Sequence, residues 1–133
     1  MEFKKNKNRT WLDSVKDCLR GIAYTFKTEN NFKREIIIGL LVIICGLILK
    51  LTIIEWIIII LLINTVLVSE LINTALERTV DLYTKEYNEI AKAIKDAASA
   101  SVFITSIASA IIGLLIFVPK IIYLMEEIKW KMN

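Results

Sequence analysis

The sequence predicts an all-α membrane protein: three transmembrane helices preceded by an N-terminal amphipathic surface helix, in one membrane domain over 1–133. Three observations carry this. Apolar residues make up 56% of the 133, above the roughly 45–50% usual in soluble domains, and the mean hydropathy is +0.57. The apolar residues are gathered into blocks of membrane-spanning length rather than scattered. Lysine and arginine are distributed very unevenly between the two sides those blocks define.

Residues 1–9 are polar and basic and read as a tail, without the short apolar core and small-residue cleavage site of a signal peptide. Residues 10–28 predict the interfacial helix. Thr10 can cap it, with Asp13 three residues on in a capping-box position. Trp11, Val15, Leu19, Ile22 and Phe26 recur at helical spacing with charged residues between them. A basic, aromatic-bearing helix beside a membrane segment lies in the interface plane, although the same pattern also suits packing on a soluble partner. Thr28–Asn31 reads as a turn.

The first span is expected at about 32–49. Only 14 uncharged residues separate Glu35 from Lys50, so Phe32 and a snorkelling Lys33 or Arg34 must lengthen it. Lys50–Thr52 leaves room only for a tight hairpin. The second span, about 53–82, opens on another capping-box pattern, Thr52 with Glu55, and carries Trp56 as an interface anchor. Its 21 residues between Glu55 and Glu77 hold one charge, Glu70. The third span, about 89–118, includes 22 uncharged residues from Ala97 to Val118. Pro119-Lys120 is expected to stop it and leave a tail at 120–133. Ala97, Ser101, Thr105, Ala108 and Ser109 favour close helix packing along this span.

Thirteen lysines and arginines fall in the N-terminal region and the loop after the second span, against four on the other side. The expected arrangement is therefore multi-pass in the cell membrane, with the N-terminus and second loop cytoplasmic and the C-terminus outside. A net charge of +3 gives no global support for a nucleic-acid partner. Cys18 and Cys45 match no metal or redox spacing and read as free thiols. Histidine is absent, so proton transfer must fall to a carboxylate, lysine, tyrosine or cysteine.

Chemistry concentrates in Glu70–Asp81. At about 100° per residue, Glu70, Asn73, Glu77 and Asp81 fall within roughly 80° of one another and form one polar stripe. Measured from Trp56 at the outer interface, Glu70 lies about 21 Å along the helix and Glu77 about 31 Å. The hydrocarbon core is about 30 Å thick. Glu70 thus falls inside the inner leaflet, with Glu77 and Asp81 at the cytoplasmic interface. An ionised acid near the bilayer centre costs at least ~2.5 kcal/mol on insertion scales, which makes such a residue a candidate functional group. The competing role is a helix–helix hydrogen bond within an oligomer.

A carboxylate withdrawn from water accepts a proton more readily, which suits a general base. A lipid alcohol lies at this depth while ATP stays in water, and the stripe joins the two. Phosphoryl transfer needs cationic neutralisation of the phosphates, and magnesium favours carboxylates, phosphates and water. Glu29, Glu77 and Asp81 stand at that membrane face, and Lys95-Asp96 marks the cytoplasmic start of the third span. The four glycines form no phosphate-cradling loop, and without histidine there is no protein-kinase catalytic loop. A transporter or channel would need polar groups through the outer leaflet, where residues 57–69 offer only Asn64, Thr65 and Ser69. A scaffold needs no cytoplasmic acidic cluster.

The stretch ELINTALERTVD, Glu70–Asp81, resembles the signature of the small bacterial membrane kinases of the diacylglycerol kinase family. Arg20-Gly21, Phe26, Thr28-Glu29, Phe32, Ala91-Lys92 and Lys95–Ala98 extend the resemblance over about residues 15–119. LTIIEWIIIILLI and AKAIKDAASA look most like the Gram-positive branch, whose members are usually undecaprenol kinases. The resemblance implies an ATP-dependent lipid kinase acting on undecaprenol, with diacylglycerol as the alternative substrate, and a homotrimer with shared active sites. It implies Glu70 as general base and Glu29 and Glu77 as magnesium ligands through the nucleotide phosphates. Glu86, Asn88, Glu89, Lys95 and Asp96 would line the ATP site with Glu29, Glu77 and Asp17. Asn73, Asp81 and Glu35 would support it or the lipid. Asp17-Cys18 replaces an aromatic–Ser pair of the diacylglycerol kinases, Ser99 stands where glycine is common, and the segment after Lys120 has no family counterpart.

Overall fold

A computed structural model describes residues 10–132. The expected tail at 1–9 and the terminal Asn133 lie outside the described residues. Four helices follow in order: α1 (Trp11–Thr28), α2 (Asn30–Ile48), α3 (Ile53–Tyr83) and α4 (Glu89–Met132).

Both capping boxes read from the sequence form. The Asp13 amide donates to Thr10 Oγ1 at 3.3 Å while the Thr10 amide donates to the Asp13 carboxylate at 3.0 Å. At α3 the Thr52 amide donates to Glu55 Oε2 at 2.7 Å, and the Glu55 amide returns the bond to Thr52 Oγ1 at 3.4 Å. Each box satisfies two amides that a helix start leaves without intrahelical partners.

The turn expected over 28–31 contracts to one residue. Glu29, with φ −109° and ψ 117°, ends α1 and begins α2 at once. Its extended backbone turns the chain from the surface helix into the next helix, and it fixes where the Glu29 side chain can reach. The hairpin between α2 and α3 is as tight as expected. Lys50 adopts a left-handed φ of 52°, and the Leu51 amide closes onto the Gly46 carbonyl at 3.1 Å. A Cβ on Gly46 would stand 2.8 Å from Trp56 Cη2 and 2.9 Å from Leu51 Cδ1. Only glycine lets the indole lie this close to α2.

The two long helices, α3 and α4, pack side by side and are tied at both ends and in the middle. Lys95 Nζ meets Asp81 Oδ1 at 2.5 Å at one end, and Lys120 Nζ meets Glu55 Oε2 at 3.0 Å at the other. Between them the Ser69 and Thr105 hydroxyls are 3.0 Å apart, and Ala98 is buried. Of the small residues read from the sequence, Thr105 makes this contact, while Ala97, Ser101 and Ala108 are exposed.

One boundary needs correction. Pro119 does not end the last helix: α4 runs through it to Met132, so residues 120–132 of the expected tail are helical. Proline removes one amide and crowds the carbonyl four residues back, but that local loss does not outweigh the helix-forming residues on both sides. Lys120 is anchored to α3 through Glu55, and Glu127 pairs with Lys131 at 2.6 Å one turn apart.

The protein's own core is small: Phe32, Leu51, Ile59, Val80 and Ala98 are its buried apolar residues among those described. Most large apolar side chains face outward, as with Leu47, Ile104 and Leu115. Apolar surface on this scale needs lipid or neighbouring protein around it. Two helices, Ile53–Tyr83 and Glu89–Lys131, are long and apolar enough to cross a membrane. α2 has 19 residues and holds Lys33, Arg34 and Glu35 in its first two turns, which keeps it outside that pair.

Candidate active site

The stripe on α3 is assembled as its periodicity requires, and its inner part is sealed. Glu70 is 2% exposed and Asn73 7%, on a helix whose other faces are largely open. Asn73 Nδ2 donates to Glu77 Oε1 at 3.3 Å, so the amide and the next carboxylate along the stripe are joined. Thr74, four positions from Glu70 and about 40° from it around the helix, is 3% exposed.

Three elements close over this face. α1 contributes its C-terminal turn, where Thr25 is buried. Glu29 stands at the α1–α2 joint and is half-buried. α2 contributes Phe32, which is buried, and Glu35 one turn on. Glu70 feels the charges of Glu77 and Glu29, and Glu35 feels that of Glu70. Four carboxylates from the joint, α2 and α3 therefore face one region.

That region holds polar atoms with nothing to bond. Glu35 Oε2, Asn73 Oδ1 and Thr74 Oγ1 are buried without a hydrogen-bond partner. Buried polar atoms are paired in the great majority of cases. Three orphans beside a sealed carboxylate describe a place where a ligand supplies donors and acceptors. From Glu35 an apolar groove of about 520 Å³ runs between α2, α3 and α4. Ile38, Gly39, Ile59, Ile63, Ala110 and Phe117 line it, and Ser106 and Ser109 are its hydroxyls.

The remaining candidates are arranged differently from one another. Lys95 is turned to Asp81, which brings the start of α4 against the Asp81 end of the stripe. Asp96 is exposed and paired with Lys92 at 2.5 Å. Glu86 and Glu89 are exposed in and after the 84–88 loop. Asn88 caps α4: its Oδ1 accepts from the Ile90 and Ala91 amides at 2.9 and 3.0 Å. Asp17 pairs with Arg20 at 2.6 Å on α1. Glu86, Asn88, Glu89 and Asp96 thus form an open polar rim rather than part of the buried cluster.

Two participants were not picked out from the sequence. Thr74 lies about 40° from Glu70 on the helix, so the same periodicity that marked Asn73 could have found it. Arg78 is the other. Its Nη2 donates to Glu29 Oε1 at 2.5 Å across 49 residues of sequence, and only the folded chain brings the two together.

A magnesium ion fits the donor set by chemistry. Glu29, at the α1–α2 joint, and Glu77, on α3, are half-buried carboxylates, and hard divalent cations take oxygen ligands, completing their shell with phosphate and water. Among the described residues, no three His, Cys, Asp or Glu side chains converge tightly enough to hold a metal alone. The set therefore suits a cation that arrives with a nucleotide.

Fold and site together define a class: a small helical membrane protein with a sealed carboxylate, an open polar rim and an apolar groove that begins at Glu35. Comparison with known proteins gives the family. A family model described as prokaryotic diacylglycerol kinase matches residues 16–117. The undecaprenol kinase of Bacillus subtilis (strain 168) is 45% identical over 123 residues, covering 91% of this chain and 100% of the relative. The diacylglycerol kinase of Synechocystis sp. is 37% identical over 115 residues, 86% of this chain and 66% of the relative. That of Haemophilus influenzae is 36% identical over 103 residues, 77% and 85% respectively. The chain belongs to the prokaryotic diacylglycerol kinase family and is a membrane lipid kinase using ATP.

Proposed function

We propose that this kinase phosphorylates undecaprenol at the cytoplasmic face of the cell membrane, giving undecaprenyl phosphate for recycling of the cell-wall lipid carrier. The observation that carries it is the sealed Glu70 carboxylate, with orphaned polar atoms beside it, where the apolar groove reaches the acidic cluster. Glu70 takes the proton from the lipid hydroxyl as that oxygen attacks the γ-phosphorus. The bond from the γ-phosphorus to the bridging oxygen breaks, and ADP leaves with the bonding pair. Glu29 and Glu77 would hold magnesium together with the nucleotide phosphates. The bound cation supplies neutralisation of the phosphate charge. Asn73 orients Glu77 through the 3.3 Å bond, and Asp81 sets Lys95. Glu86, Asn88, Glu89, Asp96 and Asp17 belong to the nucleotide side, and Glu35 to the lipid side.

α2 is the third span in this reading. Its 19 residues reach about 28 Å, with Lys33 and Arg34 snorkelling at the cytoplasmic interface. The N-terminus is then cytoplasmic and the C-terminus outside. The outward-facing apolar surface supports a homotrimer with active sites shared between protomers, because one chain encloses Glu70 but leaves the lipid-side groove open.

Undecaprenol is favoured over diacylglycerol by the 45% identity to a kinase of that name and by the groove lining. An isoprenoid chain with one terminal hydroxyl needs no reader of ester carbonyls, and only Ser106 and Ser109 offer hydroxyls in the groove. Initial rates with labelled ATP on both lipids, at matched mole fraction in one detergent, test the substrate. Faster turnover of diacylglycerol refutes the choice. The Glu70→Gln variant tests the base: an intact oligomer with turnover reduced about 10²–10⁴-fold is expected, and near-normal turnover removes Glu70 from the mechanism.

A further inference from the structure

Arg78 belongs to no part of the mechanism above, yet it touches one of its central groups. It lies 22 residues from Trp56, or about 33 Å along α3, so its guanidinium stands at the cytoplasmic interface beside Glu77. It reaches away from its own helix to the α1–α2 joint and donates to Glu29 Oε1 at 2.5 Å. Tyr24 of α1 and Asp81 of α3 also face its charge. The Arg78 side chain remains 45% exposed and that of Glu29 20%. Such an ion pair is open to solvent on one side and exchanges readily.

The donor count favours a second partner. A guanidinium carries five N–H donors in a rigid fork, and Glu29 occupies one Nη of it. A second cation beside the stripe, Lys95, is committed to Asp81 at 2.5 Å. The Glu29 carboxylate has the complementary position: it is needed at the divalent cation once nucleotide is present, and in the free chain it is held by Arg78.

We propose that Arg78 is a positioning residue of the nucleotide site: in the free enzyme it holds Glu29 by the interface ion pair, and on entry of metal-nucleotide the carboxylate turns to the divalent cation while the freed guanidinium binds the nucleotide phosphates. The charges stay balanced through the exchange. The Arg–carboxylate pair is exchanged for an Arg–phosphate pair and a metal–carboxylate contact, while the cation keeps its phosphates. Arginine matches phosphate geometry through its fork better than a lysine would. Because Glu29 is also the joint between α1 and α2, the exchange couples nucleotide arrival to the seat of the surface helix. The proposal rests on the reading of Glu29 as a metal ligand.

The test uses the full chain in detergent micelles, with manganese as the divalent probe followed by electron paramagnetic resonance and a non-hydrolysable ATP analogue followed by calorimetry. In Arg78→Ala, manganese without nucleotide is expected to bind severalfold more tightly, because its competitor for Glu29 is gone. The manganese–analogue complex is expected to bind about tenfold more weakly, because a charge-assisted contact to phosphate is lost. The KM for lipid stays unchanged. Arg78→Lys, which keeps the charge and loses the fork, falls between wild type and alanine. Analogue affinity within twofold of wild type in Arg78→Ala, with the oligomer intact, overturns the proposal. Manganese affinity unaltered in Glu29→Gln overturns the metal reading of Glu29 itself, and with it the exchange, whatever Arg78→Ala does.

Discussion

Gly46→Ala puts the packing at the hairpin between α2 and α3 to a quantitative test. A Cβ at this position would lie 2.8 Å from Trp56 Cη2, 3.2 Å from Trp56 Cζ2 and 2.9 Å from Leu51 Cδ1. Carbon atoms rest at about 3.5–4.0 Å, so the indole must retreat by the better part of an ångström. Leu51 is buried and Trp56 half-buried, which limits how far either can move. Overpacking of this kind costs about 1–3 kcal/mol. Alanine also favours the helix over glycine by about 0.8–1.0 kcal/mol, so the net loss is about 1 kcal/mol. Gly21→Ala on α1 supplies the control, since nothing lies within 4 Å of its Cβ. It takes the helix-propensity gain without the clash. The difference between the two variants isolates the clash, and its size of about 1–3 kcal/mol corresponds to roughly 4–10 °C in thermal midpoint. Thermal unfolding in one detergent, followed by circular dichroism, measures it. Trp56→Phe, which removes the distal ring, should recover part of the loss in a double variant with Gly46→Ala. Equal midpoints for the two alanine variants would refute the packing argument.

Thr74→Val removes a buried hydroxyl that has no partner in the free chain, so stability should be unchanged or slightly raised. Turnover should fall severalfold if that hydroxyl serves bound substrate, and unchanged turnover would assign Thr74 to packing alone. Glu29→Ala and Glu77→Ala should each weaken the apparent magnesium affinity in ATP turnover more than they change the KM for lipid. Equal metal titrations in wild type and both variants, or turnover in excess chelator, would contradict the metal assignment. Truncation after Pro119 removes the outer part of α4, beyond the residues matched to the family, and breaks the Lys120–Glu55 pair. It should lower the thermal midpoint while leaving kcat within about twofold, on the expectation that surface contacts far from a site are close to neutral for it. A large loss of kcat with an intact oligomer would give this segment a role in the reaction.

What the sequence by itself determined here is what depends on short range. The two capping boxes need only residues three apart, and both form as read. The stripe of Glu70, Asn73 and Glu77 follows from the helical repeat alone, which is why these residues could be placed on one face of α3 from their spacing. The blocks of apolar residues gave the helices and their hairpin, because hydropathy over some twenty residues is a local property. Pro119 was misjudged for the converse reason: proline weakens a helix locally, and whether the helix survives depends on what holds each side of it. Here Lys120 is tied to Glu55, 65 positions earlier in the chain. Tertiary structure alone decided which polar groups are sealed and which lie on the rim. Lys95 and Asp96 are neighbours in sequence, yet one meets α3 and the other stays on its own helix. Arg78 could not be connected to Glu29 by any periodicity, since the pair joins two helices whose relative placement is set by packing across the one-residue joint. Charge pairs of this kind are invisible in the sequence because their energy depends on distance in space, and only folding brings the two charges within reach.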